Sequence, residues 1–461
     1  KTILSMVAAL CVSSMMFGQL RATDQSGINV FETPKTDTQF TGPKVEFGGS
    51  IAMPYIALTN SNAASATVPS TTDATKTIVN PQTFFKNSPN FALSMANLNI
   101  NSYLADGVTL QVSLYLASKH HNETWVKGGY VQFDKIPFIK MDLLDNIMKY
   151  TSIKVGQMDV NYGDAHFRRS DGGCAIYNPF MENYIMDEFA TEIGAEADVN
   201  YNGIIGVLSV TNANLNPNLA YIDTTLAAYK YSNGLHNPAW IAKLGYDKQI
   251  TDKFRARVTA SVYTTAGAVS TTIFGGDRTG SNYSAIMYNA GPGTGTAFGG
   301  RFNPGLSDKL TTVMGNLFLK YNVLDGLAVE SFTTIESAKG RTAAEATERS
   351  TSQFATDLVF RFGKAENFFL GARYNTVSAD LAATAKTTTT VGALSYVTQD
   401  AVPAYTIGIS RLAISGGWYV TKNIMAKVEY VNQMYSGVPA VNYILNGAEF
   451  HGLSAEAVIS F

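Results

Sequence analysis

The sequence predicts an all-β fold, a transmembrane antiparallel β-barrel of about 16 strands. Three observations predict it. Apolar and polar residues alternate with period two through most of the chain. Short turn signals interleave strictly with long Thr-, Ser-, Gly- or Ala-rich connections. No run of about twenty apolar residues occurs after the N-terminal stretch, which excludes helical spans.

Composition agrees. Of 461 residues, 46% are hydrophobic and only 15% charged, against roughly 25% charged in ordinary globular chains. A wall with one apolar and one wet face has this balance. The net charge of −2 gives no attraction for a polyanion, so nucleic acid is excluded as a partner. No motif asks for a cofactor.

Residues 1–19, KTILSMVAALCVSSMMFGQ, read as a secretory signal peptide: a basic start, an apolar centre and small or polar residues at the end. Cys11 falls inside the apolar centre after Leu10, which argues against lipidation. Cys174 is then the one cysteine of the mature chain, a small packed loop residue. Residues 20–42 read as an N-terminal periplasmic segment and 43–461 as the barrel.

The strands are expected near 43–58, 91–104, 108–118, 124–135, 151–160, 190–201, 204–213 and 239–249. They continue near 254–265, 310–323, 327–337, 352–363, 368–378, 403–420, 424–434 and 449–461; one missed hairpin would make 18. Val108, Leu110, Val112 and Leu114 alternate with Thr109, Gln111, Ser113 and Tyr115; Phe254, Ala256 and Val258 alternate with Arg255, Arg257 and Thr259. The apolar set would face lipid and the polar set a solvated lumen. Asp106-Gly107, Asn202-Gly203 and Asp325-Gly326 are tight-turn pairs for the periplasmic side. The long connections are extracellular, and residues 59–83 among them read as a mobile low-complexity loop.

One periplasmic connection, 138–148, spaces its apolar residues by three and four and predicts a short helix. It would plug the lower rim or, alternatively, dock a periplasmic partner. At the other end, Leu453, Ala455, Ala457, Ile459 and Phe461 share one strand face. A last strand ending on Phe461 resembles the signal that the barrel-assembly machinery reads in outer-membrane proteins.

The third long loop, 161–189, is the candidate functional stretch. It carries Asp164, Arg168, Arg169, Asp171, Glu182, Asp187 and Glu188 among Phe167, Tyr177, Phe180, Tyr184 and Phe189. So many aromatics do not suit a solvated linker, and loops of this length are commonly functional. The expected arrangement is a loop folded into the lumen, its charges forming a pore constriction. Lys154, Arg255, Arg257, Arg361 and Arg373 would stand on the pore wall. Opposed charges across a narrow aperture orient dipolar solutes.

The run Lys154-Val155-Gly156-Gln157-Met158, then Asn178-Pro179-Phe180-Met181-Glu182 and a return strand, resembles the constriction segment of the phosphate-selective porin O/P family. AHFRRSDGG and YNPFMENYIMD also resemble porins of Bacteroidetes outer membranes. The resemblance covers about residues 90–200. It implies a sixteen-strand porin, often a homotrimer, in outer-membrane lipid, that lets small hydrophilic solutes, anions among them, diffuse passively. The loop mixes both charge signs and lacks an arginine ladder, a departure from a phosphate channel.

Other chemistry is thinly supported. His120, His121 and Glu123 could suggest metal ligands, but adjacent strand residues point to opposite faces, and a zinc site needs three or four convergent ligands. Ser170 and His166 are available to a hydrolase triad, but nothing in the sequence places them together. Gly275-Gly276-Asp277 and Gly291-Pro292-Gly293 lack the Lys-Ser/Thr of a phosphate loop. The chain therefore reads as a non-enzyme. Its rival reading is a non-conducting barrel serving an envelope or secretion complex as a structural or docking part.

Overall fold

The computed structural model describes residues 21–32, 35, 40–92, 94–116, 124–170, 173–215, 238–266, 271–274, 282–283, 286–288, 297–342, 345–440 and 442–461. The expected signal peptide, Asp171, the His120–Glu123 cluster and the Gly275 and Gly291 stretches lie outside these residues.

The chain forms a closed antiparallel barrel of sixteen strands. They are β1 (Lys44–Ser61), β2 (Met95–Ala105), β3 (Val108–Leu116), β4 (Trp125–Phe133), β5 (Thr151–Asp159), β6 (Thr191–Tyr201), β7 (Ile204–Thr211) and β8 (Ala239–Thr251). There follow β9 (Phe254–Thr265), β10 (Asp308–Leu324), β11 (Leu327–Arg341), β12 (Arg349–Phe362), β13 (Phe368–Leu381), β14 (Tyr405–Thr421), β15 (Ile424–Ser436) and β16 (Glu449–Ser460). Each matches a strand foreseen from alternation. β16 closes on β1 from Ser50↔Ser460 to Ser61↔Glu449, while the first half of β1 pairs with β2. Closure removes every edge and satisfies the backbone within the wall, as a bilayer core requires.

The tight turns form because their residues tolerate left-handed backbone. In the β6–β7 turn Asn202 has φ 51° and Gly203 φ 88°, the positive pair that matches strand twist in a two-residue hairpin.

Alternation sorts the side chains as read. On the outer face Leu244, Ile335 and Leu453 are more than half exposed, while Lys243, Glu336 and Ser454 beside them are buried within. Tyr150, Tyr201, Tyr321, Phe368, Trp418 and Phe461 stand exposed at the periplasmic ends of the wall, where amphipathic rings suit the lipid–water boundary. A closed barrel with this outer face is built to span a bilayer.

Two expectations need correction. The lumen is not uniformly solvated: Arg257, Arg361, Arg373, Arg411 and Lys427 on the inner faces of β9, β12, β13, β14 and β15 are sealed from solvent. Part of residues 59–83 is a hairpin, Thr67–Pro69 on Thr77–Val79, joined to another extracellular loop by a Ser70↔Tyr396 bridge. Backbone pairing, which low-complexity composition does not reveal, orders it. A helix α1 (Asp142–Met148) does form within 138–148. On it Leu143 and Ile147 are exposed and only Met148 is buried.

Candidate functional site

Between β5 and β6 the chain turns into the lumen. Tyr162, Ile176, Phe180, Met181, Ile185 and Met186 are all buried, packed into one apolar cluster with wall residues. Burying each such side chain is worth roughly 1.5–3 kcal/mol, which explains why so aromatic a loop folds inward. Gly163 adopts φ +64°, with a Cβ's place already filled by Met314, so the loop's first bend needs glycine.

The loop has little regular structure, so its backbone polar groups need partners. The inner wall supplies them. Asn375 Oδ1 accepts from Ile185 N at 2.6 Å and Gln353 Oε1 from Met186 N at 2.9 Å. Glu429 accepts from Met181 N at 2.9 Å. Arg373 donates to the Glu182 carbonyl at 2.7 Å, Arg411 to that of Asn183 at 2.6 Å and Lys427 to that of Phe180 at 2.8 Å. Asn316 on β10 accepts from Asp164 N at 3.0 Å.

The charged residues foreseen as a constriction sit in this packed interior. Asp164 takes a fork from Arg257 at 2.8 and 2.7 Å, with Lys243 at 3.0 Å and Thr259 at 2.8 Å. Burial opposes its ionisation, but Lys243 and Arg257 outweigh it and hold the carboxyl below its usual range. Arg169 bonds Asp187, which also meets Arg301 at 2.9 Å. Arg168 lies 4.9 Å over the Phe332 ring and 3.9 Å from Asp357, its three guanidinium nitrogens without hydrogen-bond partners. Glu182 accepts from Asn183 N and Tyr283 N at 3.0 and 3.1 Å; burial pushes its carboxyl up, against the pull of Arg301 and Arg411. Glu188 accepts from Gln353 at 2.9 Å, and burial with the neighbouring Glu336 pushes it well up. Burial chiefly, then Lys243, drives His166 down to about 3, so its ring is neutral near pH 7.

The wall residues divide. Arg257 meets Asp164 and Glu32; Arg361 meets Glu330 at 2.7 Å; Arg373 forks onto Asp357 at 2.7 and 2.8 Å; Arg255 forks onto Asp247 at 2.8 and 2.7 Å. Lys154 differs. It bridges Glu196 at 2.8 Å and Asp198 at 2.7 Å and lines open space.

That space is a cavity of about 540 Å³ between the loop and the wall of β1–β7. Its lining runs from Lys127 and Asp159, near the extracellular ends of β4 and β5, to Glu46, Gln132 and Asn200 near the periplasmic rim. His166, Phe167, Cys174 and Tyr177 form its loop side. Asn97, Asn99, Asn101 and Gln111 line the barrel side; sequence reasoning passed over them because amides on a strand carry no signature, though their period-two spacing marked one face.

The N-terminal segment, expected in the periplasm over 20–42, instead enters the lumen at Arg21, Phe31 and Glu32. Phe31 is buried in edge contact with Phe167 and Phe318. Glu32 pairs with Lys243 at 3.2 Å and Arg257 at 2.7 Å, and Arg21 lies 3.5 Å over the Tyr177 ring. No local signal in the sequence places it, because Phe167 and Phe318 are remote in the chain.

No family profile matches the chain, and no curated protein matches it by sequence. Solved structures of similar fold are outer-membrane barrels. The outer membrane channel DcaP of Acinetobacter baumannii shares 11% identity, over 92% of this chain and 99% of that one, with TM-score 0.47. OmpT of Vibrio cholerae shares 9% over 92% and 99%, with TM-score 0.46. An anion-selective porin from Comamonas acidovorans shares 8% over 91% and 100%, with TM-score 0.46.

Proposed function

We propose that this chain is an integral outer-membrane porin through which small hydrophilic solutes diffuse passively. One observation carries the reading: an apolar-faced closed barrel holds, beside its inserted loop, a polar cavity that extends along most of the height of β2–β5. In this reading the loop constricts the lumen by filling its far side. Asp164, Arg169, Glu182, Asp187 and Glu188 hold the loop in place, Arg168 is packed among them, and Lys154 stands at the passage. Homotrimer formation and handling of Phe461 by the assembly machinery belong to the same proposal. The test is single-channel recording in planar bilayers with a KCl gradient. Uniform conductance steps support the porin. Silence across repeated reconstitutions sinks it.

The density of loop–wall bonds and the presence of Phe31 inside the lumen favour a second reading, a plugged structural or docking barrel. It predicts that silence.

A further inference from the structure

We propose that the passage is selective for neutral, polyhydroxylated solutes of sugar size, taken by an amide ladder on β2 and β3. This inference rests on the porin reading above and names its solute class.

Asn97, Asn99 and Asn101 recur every second residue on one face of β2. At about 3.3 Å per residue they step roughly 13 Å along the cavity. Gln111 stands opposite Asn101 in the β2–β3 register, and Ser113 opposite Asn99. Ser113 donates to Asn99 at 2.8 Å and Tyr130 donates to Gln111. Asn101 Oδ1 has no hydrogen-bond partner despite burial. Amides offer donors and acceptors side by side, the match for a hydroxyl that both gives and takes a proton.

The formal charges that line the cavity are mixed in sign, Arg21, Lys35, Lys127 and Lys154 against Glu32, Glu46, Asp159, Glu196 and Asp198, so neither sign dominates. Lys154 is held by Glu196 and Asp198; Glu32 by Lys243 and Arg257. Lys35 donates to the carbonyls of Asp134, Met148 and Thr151. Arg21 donates to the carbonyls of Gly27 and Phe167, and Lys127 lies 4.7 Å over the Phe189 ring. An ion of either sign entering here meets like charges as well as opposite ones. A sugar finds a continuous row of amides. A cavity of about 540 Å³ also lies in the range of small-molecule sites, roughly 300–1,000 Å³.

The experiment is single-channel recording with maltotriose added to one side, on wild type and on the triple variant Asn97→Ala/Asn99→Ala/Asn101→Ala. Wild type should show a KCl reversal potential near zero and concentration-dependent sugar block. The triple variant should need about tenfold more maltotriose for half-block while its conductance holds or rises, because alanine widens the passage. Heat-dependent gel mobility checks that both barrels are folded. Unchanged block in the variant overturns the proposal, as does a wild-type reversal potential near the pure potassium or chloride limit; the latter reading stands on wild type alone should the variant not fold. If wild type is silent, the porin reading fails, and calorimetric titration of purified protein with maltotriose decides the ladder separately. Binding that alanine abolishes supports it, and no binding overturns it.

Discussion

Replacing Asp164 tests whether ion pairing holds the loop across the lumen. Its carboxylate gathers four bonds from Arg257, Lys243 and Thr259. Asp164→Ala leaves two buried cations, Arg257 and Lys243, sharing Glu32, with Asp247 a further 3.4 Å contact to Arg257. Removing one partner of a buried pair costs about 3–5 kcal/mol. Because Glu32 remains, the lower end applies, about 3 kcal/mol. At 1.4 kcal/mol per decade that is a more than hundredfold larger population of undocked loop. The wall's own backbone pairing is untouched, so the barrel stays folded. Amide hydrogen exchange across 161–170 should accelerate by about that factor, and open-channel current noise should rise. The folded Asp164 carboxyl sits below its ordinary value. Its contribution is thus present above the ordinary carboxylate range and lost as pH falls towards the folded value. Wild-type docking weakens in acid through this group; the alanine variant lacks that acid step. Unchanged exchange in 161–170 would refute the anchoring argument outright.

Other consequences follow from the same geometry. Cys174 lines the cavity, so a charged methanethiosulfonate reagent added to reconstituted wild type should lower its conductance, and Cys174→Ser should abolish the effect. Glu188 is the opposite case to Asp164: burial and Glu336 raise its folded value well above 4.5. Its contribution is greatest below the ordinary value and is lost as pH rises through the folded one. Exchange of residues 185–189 should therefore quicken towards alkaline pH, and Glu188→Gln, which keeps an amide donor towards Glu336, should flatten that dependence. Arg168→Met should be neutral or stabilising by up to about 2 kcal/mol in denaturant titration, since unpaired buried donors are relieved while Asp357 keeps Arg373. The reversal potential should stay where it was, because Arg168 does not line the cavity.

The wall was legible because a two-residue period has one geometric meaning in a long chain with polar turns. Arg255 and Arg257 had to face away from Val258, and the Asn202-Gly203 pair had to turn. Inward folding of 161–189 was legible from its aromatics. What lay beyond reading was whether an inward charge meets water or protein. Lys154 and Arg373 look alike in sequence, each on a strand with alternating neighbours. One lines open space and the other is buried against Asp357 and the Glu182 carbonyl. The difference is set by which wall the loop leans on, a contact between segments some two hundred residues apart. Phe31 was missed for the same reason, since its partners Phe167 and Phe318 are remote in the chain.

The lean of the loop follows from its attachments. It leaves β5 and returns to β6, yet its backbone is bonded by Asn316 on β10, Asn375 on β13, Arg411 on β14 and Glu429 on β15. To reach partners on the opposite wall it must cross the full lumen. Having crossed, it packs against the far side, and the cavity of about 540 Å³ lies beneath its own take-off, against β1–β7. The cavity is thus placed by where the wall keeps its backbone-binding side chains. Asn375 and Gln353 hold the loop against one half of the barrel, while Asn99 and Gln111 line the cavity left in the other.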